Sequence, residues 1–265
     1  TVCLSVLYFC LLPEDEEIMP ASVNGTLPEG NNVWQIMPED NKFGLEKGDK
    51  TEMTQVSQTE EALETELKTP LIFIDRGHGG EDEGCMRGDV LEKEINLEIC
   101  RRVEEKLRGM GFEAVLTRED NDTVLSLEER VSIAEETGAD IYVSIHQNAT
   151  EEKESSARGI ETWYCDKTED SRRLARLLHG EILKETEAKG RGLCETEEMY
   201  VIRETSMPAC LIETGFLSNK EDRKLLQDSV YLDQLAAGIA EGINYYFHPK
   251  TMYLTFDDGP PLRKK

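Results

Sequence analysis

The sequence is poor in positive charge, in paired cysteines, in histidine and in long apolar runs, and each shortage excludes something. Thirty Lys+Arg stand against 55 Asp+Glu, a formal net charge of −25. A chain this acidic is repelled by nucleic acid and by anionic membrane surfaces, which sets aside polyanion binding for the chain as a whole. Seven cysteines, at positions 3, 10, 85, 100, 165, 194 and 210, form no Cys-x-x-Cys pair and are odd in number. That argues against a zinc finger and a dense disulfide scaffold. Their long spacings inside strand-like and helix-like segments predict buried free thiols instead. Val2–Leu12 is an eleven-residue run with only Ser5 polar, well short of the roughly 20 residues a spanning helix needs. Core-forming material is not lacking. A chain of 265 residues at 38% hydrophobic excludes wholesale disorder and suits one substantial domain with extras, or two small ones.

Composition divides the chain into four parts. Residues 1–12 open on Thr1, and their apolar run is followed by Pro13 and the cluster Glu14-Asp15-Glu16-Glu17. This pattern predicts a truncated signal peptide or membrane anchor, with a buried strand as the bland alternative. Residues 13–69 hold fourteen acidic and four basic side chains and two aromatics, Trp34 and Phe43. Low hydrophobicity with high net charge cannot offset the entropy of ordering, so an acidic disordered linker is expected there. Residues 70–247 form the catalytic domain candidate, and residues 248–265 a tail.

Within 70–247 the hydrophobic pattern alternates between strand and helix. Leu71–Asp75 is a short apolar run ending in a Gly-rich turn, as a buried strand does. Ile95, Ile99, Val103 and Leu107 recur every four residues and predict a helix stopped by Gly109 and Gly111. Glu113–Thr117 reads as a strand. Ser126-Leu127-Glu128-Glu129 is a capping box opening a helix. Asp140–Ile145, Gly159–Tyr164, Met199–Ile202 and Ala209–Glu213 read as further strands. A helix starts at Ser171, Asn219 caps a short one, and Leu232, Leu235, Ile239 and Ile243 mark the last. The expected fold is α/β: a single domain with a mostly parallel twisted sheet flanked by helices on both faces.

In open α/β sheets, ligands sit beyond the carboxyl ends of strands. Of four histidines, at 78, 146, 179 and 248, two occupy such positions. His78 lies just past the first strand, in Asp75-Arg76-Gly77-His78-Gly79-Gly80, where the glycines let the backbone bend tightly. His146 directly follows Ile141–Ile145, and Glu213 ends Cys210-Leu211-Ile212. Two imidazoles and a carboxylate converging on one rim are suitable donors for zinc. His179, mid-helix, is expected to be a surface or packing residue, and His248 to lie outside the domain. A further ligand is sought at the start of the first helix, where Glu92 and Glu94 point about 200° apart; the residues themselves do not choose between the two.

At these residues the sequence resembles the zinc-dependent N-acetylmuramoyl-L-alanine amidases of the Amidase_3 family. The stretches are Ile74–Gly80, Glu92–Leu97, Leu116-Thr117-Arg118, Ser126–Val131, Val143–Ala149, Gly159–Thr162 and Met207–Asn219, in the family's order. The resemblance implies one Zn2+ held by His78, Glu92 and His146, and a catalytic role for Glu213. It implies hydrolysis, by activated water, of the amide between N-acetylmuramic acid and L-alanine. Asn148 and Arg203 are candidate substrate-binding residues. Arg76 stands where the family usually has proline, which alters the turn beside His78 and removes no ligand. Lys250–Pro260 looks like the opening motif of NodB-type polysaccharide deacetylases, with Asp257 and Asp258 matching its catalytic base and metal ligand. No histidine follows residue 248, so the tail is expected to be a fragment without that activity.

The expected partner is peptidoglycan or a muropeptide, with no nucleic acid, and with membrane contact only through the N-terminal segment. The expected location is extracellular, at the cell wall. Rival readings are a zinc carboxypeptidase on stem peptides, for which Arg118 or Arg203 would clamp a terminal carboxylate, and a wall-binding module without catalysis.

Overall fold

A computed structural model describes residues 69–167 and 169–249. The expectations for residues 1–12, for the linker up to residue 68, and for Asp257 and Asp258 in the tail lie outside the described residues.

The chain enters as strand β1 (Leu71–Arg76), passes through a small hairpin of β2 (Met86–Arg87) and β3 (Val90–Leu91), and continues into helix α1 (Glu92–Gly109). There follow β4 (Glu113–Leu116), α2 (Leu127–Thr137), β5 (Ile141–Asn148), β6 (Ile160–Tyr164) and α3 (Glu169–Thr186). β7 (Gly190–Glu195), α4 (Tyr200–Glu204), β8 (Ala209–Phe216), α5 (Lys220–Leu225) and α6 (Ser229–Phe247) complete it. Six strands form one sheet in the order β4-β1-β5-β8-β6-β7. The first four run parallel, β6 is antiparallel to β8, and β7 is parallel to β6. The sheet is therefore mostly parallel, with one reversed junction.

Strand alternation sorts side chains onto two cores. Ile72, Ile74, Ile141, Val143, Ile145, Cys210 and Ile212 join α1, α3 and α6 in the larger one. Phe73, Tyr142, Ala209 and Leu211 face the other way, with Val201 and Ile202 of α4 and Ala134 of α2. Both faces of the central strands are thus covered, as parallel sheets require. The rings of Phe73 and Tyr142 stack across β1 and β5 with centroids 5.3 Å apart. On the larger face α3 and α6 pack nearly backbone to backbone. A Cβ added at Gly238 would lie 2.5 Å from Ile182 Cα, and one at Gly242 2.7 Å from Leu178 Cα.

The local signals act as read. The Ser126 side chain accepts from the Glu129 amide while the Glu129 carboxylate accepts from the Ser126 amide, closing the capping box of α2. Asn219 Oδ1 accepts from the amides of Glu221 and Asp222 and starts α5. α1 ends at Gly109, with Gly111 at φ 90° in the following turn. His179 is a packing residue: it is buried, with Nδ1 3.0 Å from Thr162 Oγ1. His248 follows α6 directly, its ring 5.5 Å from that of Phe112. Cys100, Cys165 and Cys210 are buried thiols, while Cys85 is half-buried. Among the described residues, no helix is long and apolar enough to cross a membrane.

Two elements differ from the sequence pattern. Met199–Ile202, expected as a strand, contributes instead to the helical turn α4. A four-residue apolar run has no periodicity to separate strand from helix, and Val201 and Ile202 are buried against α2 and β8, not in the sheet. The edge position is taken by Gly190–Glu195, whose sequence Gly-Arg-Gly-Leu-Cys-Glu carries too little apolar alternation to be recognised as a strand.

Candidate metal centre

The site is built where three strand ends meet the start of a helix. His78 follows β1 with φ 61°, a left-handed conformation unusual outside glycine. Its Nε2 lies 3.1 Å from Glu92 Oε1, and its Nδ1 lies 2.9 Å from Asp82 Oδ2. His146, near the end of β5, brings Nδ1 to 2.9 Å from the same Glu92 oxygen. The two imidazole rings stand almost perpendicular, centroids 4.9 Å apart. The ligand atoms of His78, Glu92 and His146 lie within 4.8 Å of one another, a group that could hold a metal ion. Glu94 is exposed on the other side of the helix, so the geometry selects Glu92.

Packing explains the closeness of approach. Gly77 lies under the His146 ring; a Cβ there would fall 2.3 Å from His146 Cε1. Glu92 is 1% exposed. Its Oε1 also accepts from the Gln147 amide at 3.0 Å, and its Oε2 from the Cys85 amide at 2.7 Å. Burial works against charge on Glu92, but the two imidazoles outweigh it and hold the carboxyl well below the usual range. Burial likewise disfavours a charged His78, yet Glu92 and Asp82 prevail and push it up to about 10. A buried carboxylate between two imidazoles is thus stabilised by positive charge, in the form of a proton or of a cation. The donors, two nitrogens and one carboxylate oxygen, match the ligands of a three-residue catalytic zinc site.

The acidic side of the site follows from sheet register. Glu213 of β8 pairs with His146 of β5 on one side and with Glu161 of β6 on the other. Paired residues on adjacent strands point to the same face, so the three side chains form a row beside the ligands. Glu213 Oε2 is buried with no hydrogen-bond partner. Burial, then Glu92 and Glu161, push its carboxyl well above the usual range. Glu161 is itself compensated: Oε1 accepts from Arg191 Nε at 2.6 Å, and Oε2 from Asn148 Nδ2 at 3.0 Å. Arg191 also lies over the Phe216 ring, 5.0 Å from its centroid.

Of the two candidate substrate-binding residues, Asn148 reaches this row through Glu161. Arg203 does not. It sits on α4, bonded to Glu204 and to the Glu197 carbonyl, where the chain enters β8 and not at the carboxyl end that carries Glu213. Sequence reasoning missed Glu161 and Arg191 as members of the site. The signal for Glu161 was a charged residue inside a strand whose five residues are all buried; Arg191 lies on the strand that was not recognised.

The family model for N-acetylmuramoyl-L-alanine amidase, Amidase_3, matches residues 72–245. The chain belongs to that family. It is 41% identical over 188 residues to the N-acetylmuramoyl-L-alanine amidase LytC of Bacillus subtilis strain 168, covering 68% of this chain and 37% of that relative's length. Among solved structures, an N-acetylmuramoyl-L-alanine amidase from Clostridium difficile 630 aligns with a TM-score of 0.66 at 38% identity, covering 69% of this chain and 99% of that one. The CwlD amidase of Clostridioides difficile, solved in complex with the GerS lipoprotein, aligns with a TM-score of 0.65 at 31% identity, covering 68% and 99%. The family match spans both sheet edges and every residue of the site, while the chain covers little more than a third of LytC.

Proposed function

We propose that this chain hydrolyses the amide between the lactyl group of N-acetylmuramic acid and L-alanine in peptidoglycan, and so works outside the cell at the wall. Its cofactor is one zinc ion held by His78, Glu92 and His146. The catalytic unit is residues 70–247. When bound, zinc acts as a Lewis acid towards the amide carbonyl and lowers the pKa of its water towards about 7.

The remaining chemistry belongs to this chain's own groups. Asp82 on Nδ1 of His78 fixes the orientation of that ring. Glu92 is held in place by two backbone amides, that of Cys85 on Oε2 and that of Gln147 on Oε1. Glu213 takes the proton from the attacking water through Oε2 and delivers it to the leaving amine nitrogen. The observation that carries this reading is the unpartnered Glu213 Oε2, in register beside His146, on a carboxyl shifted upward by its surroundings. Such a shift suits a group that must accept and release a proton near neutrality.

The test is product analysis on defined muropeptides together with the Glu213→Gln variant. Wild type should expose a new L-alanine amino terminus. Release of a terminal amino acid would instead mean a carboxypeptidase, and an unchanged substrate a binding module. Glu213→Gln should keep its zinc and lose about 10²–10⁴-fold in turnover, the usual contribution of an acid–base group. Zinc loss would make Glu213 a ligand; normal turnover would remove it from the chemistry.

A further inference from the structure

Five consecutive carbonyls around His78 are all engaged, and mostly by cations. The Arg76 carbonyl accepts from Arg130 Nη1 at 2.7 Å and Arg118 Nε at 3.3 Å. The Gly77 carbonyl accepts from Arg118 Nη2 and Asn96 Nδ2, both at 3.1 Å. The His78 carbonyl accepts from Arg130 Nη2 at 2.8 Å, that of Gly79 from the Asp82 amide at 3.0 Å, and that of Gly80 from Lys93 Nζ at 2.6 Å.

The two arginines are themselves fixed. Arg130 comes from α2, is 4% exposed, and is anchored by Asp75 Oδ1 at 2.7 Å, while Asp75 Oδ2 accepts from Ser144 Oγ at 2.7 Å. Arg118 follows β4, is 2% exposed, and also donates to the Lys93 carbonyl at 2.9 Å. A guanidinium presents several donors in one rigid plane, so each arginine sets two carbonyls of the loop relative to each other, Arg118 those of residues 76 and 77 and Arg130 those of residues 76 and 78. A lysine has a single rotating head and cannot reproduce that. His78 holds a left-handed backbone, which a non-glycine residue keeps only when its surroundings over-determine it.

We propose that Arg118 and Arg130 are positioning residues for His78. They clamp the carbonyls of residues 76–78 and so hold the loop in the conformation that turns the imidazole towards Glu92 and His146. This rests on the reading of those three residues as the zinc ligands. Neither arginine touches the metal or the reacting atoms; both act through the backbone of the ligand loop.

The test uses the full chain with Arg118→Lys and Arg130→Lys, and with Ile182→Val in α3 as a control of lowered stability away from the loop. Zinc affinity is read by competition with a chromogenic chelator. Amide exchange of Gly79 and Gly80, whose N–H groups bond the Asp82 and Asn121 carbonyls, is read on the metal-free chain. Each arginine variant should bind zinc about 10–100-fold more weakly, the usual effect of disturbing groups that orient a ligand. Both amides should exchange faster, and Ile182→Val should keep wild-type affinity and exchange. Should a lysine variant fail to fold, the glutamine variant at the same position, Arg118→Gln or Arg130→Gln, which keeps an amide donor, replaces it. Wild-type affinity and exchange in the folded variants would overturn the clamp, as would an equal loss of affinity in Ile182→Val. If the wild-type chain takes up no zinc, the zinc reading falls, and the exchange rates alone decide the clamp.

Discussion

The smallest decisive residue in the site is Gly77. The His146 ring occupies the space in which any other residue would carry its Cβ, with ring atoms as near as 2.3 Å. That neighbour is the rigid imidazole of His146, proposed above as a zinc ligand, so an added methyl must displace the ring or the loop. Gly77→Ala is expected to keep the far-UV spectrum of the fold while its zinc content drops well below one per chain; stoichiometric zinc with wild-type turnover would contradict it. Much at this scale was legible beforehand. His78 and His146 announce themselves by standing after apolar strand runs, one among glycines. The choice between Glu92 and Glu94 required either the family pattern or the helix in place, because both residues suit a first turn. Glu161 and Arg191 stayed hidden because their roles depend on which strand lies next to which, and a single strand's sequence does not encode its neighbours.

At the scale of elements, α3 and α6 pack nearly backbone to backbone. Gly238 and Gly242 face the backbone of Ile182 and Leu178 one helical turn apart. Two effects oppose each other on substitution. Replacing glycine by alanine inside a helix favours the helix by about 1 kcal/mol. Forcing a methyl against a neighbouring backbone costs about 1–3 kcal/mol through overpacking. The neighbour here is main chain and cannot rotate away, so the second effect wins. Gly238→Ala/Gly242→Ala should lower the urea midpoint; a raised midpoint would show that the helices can slide apart freely. Element type was readable wherever the repeat was long, as in α1 and α6. It failed where the run was four residues long, at Met199–Ile202, and at the glycine-bearing edge strand β7, because burial and pairing decide such segments and local preference does not.

For the molecule as a whole, acid sensitivity has an identifiable source. Asp75 is 1% exposed and bridges β1 to α2 through Arg130 and to β5 through Ser144. Burial raises its pKa, but Arg130, followed by His146, outweighs burial and holds it below the usual carboxylate value. The folded state therefore binds this proton more weakly than the unfolded chain does. Its contribution is fully present above the unfolded pKa of about 4 and is lost as pH falls below that, through the folded value. Between pH 5 and pH 2.5 the urea midpoint of wild type should fall more steeply than that of Asp75→Asn. Parallel curves would mean that the pair plays no part in acid unfolding.

The position of β8 has one more consequence, for the order in which the molecule becomes itself. This strand is the last of the sheet in sequence and yet sits between β5 and β6, so the sheet closes only when its latest segment inserts into its middle. His78, Glu92 and His146 all precede residue 150 and meet through β1, α1 and β5, whereas Glu213 arrives with β8. Pairings over such long sequence separations are slow to form. A chain in mid-folding, or still emerging, can bring those three residues together before Glu213 joins them. On the function proposed above, such a partly folded chain would lack the group assigned to receive the water proton.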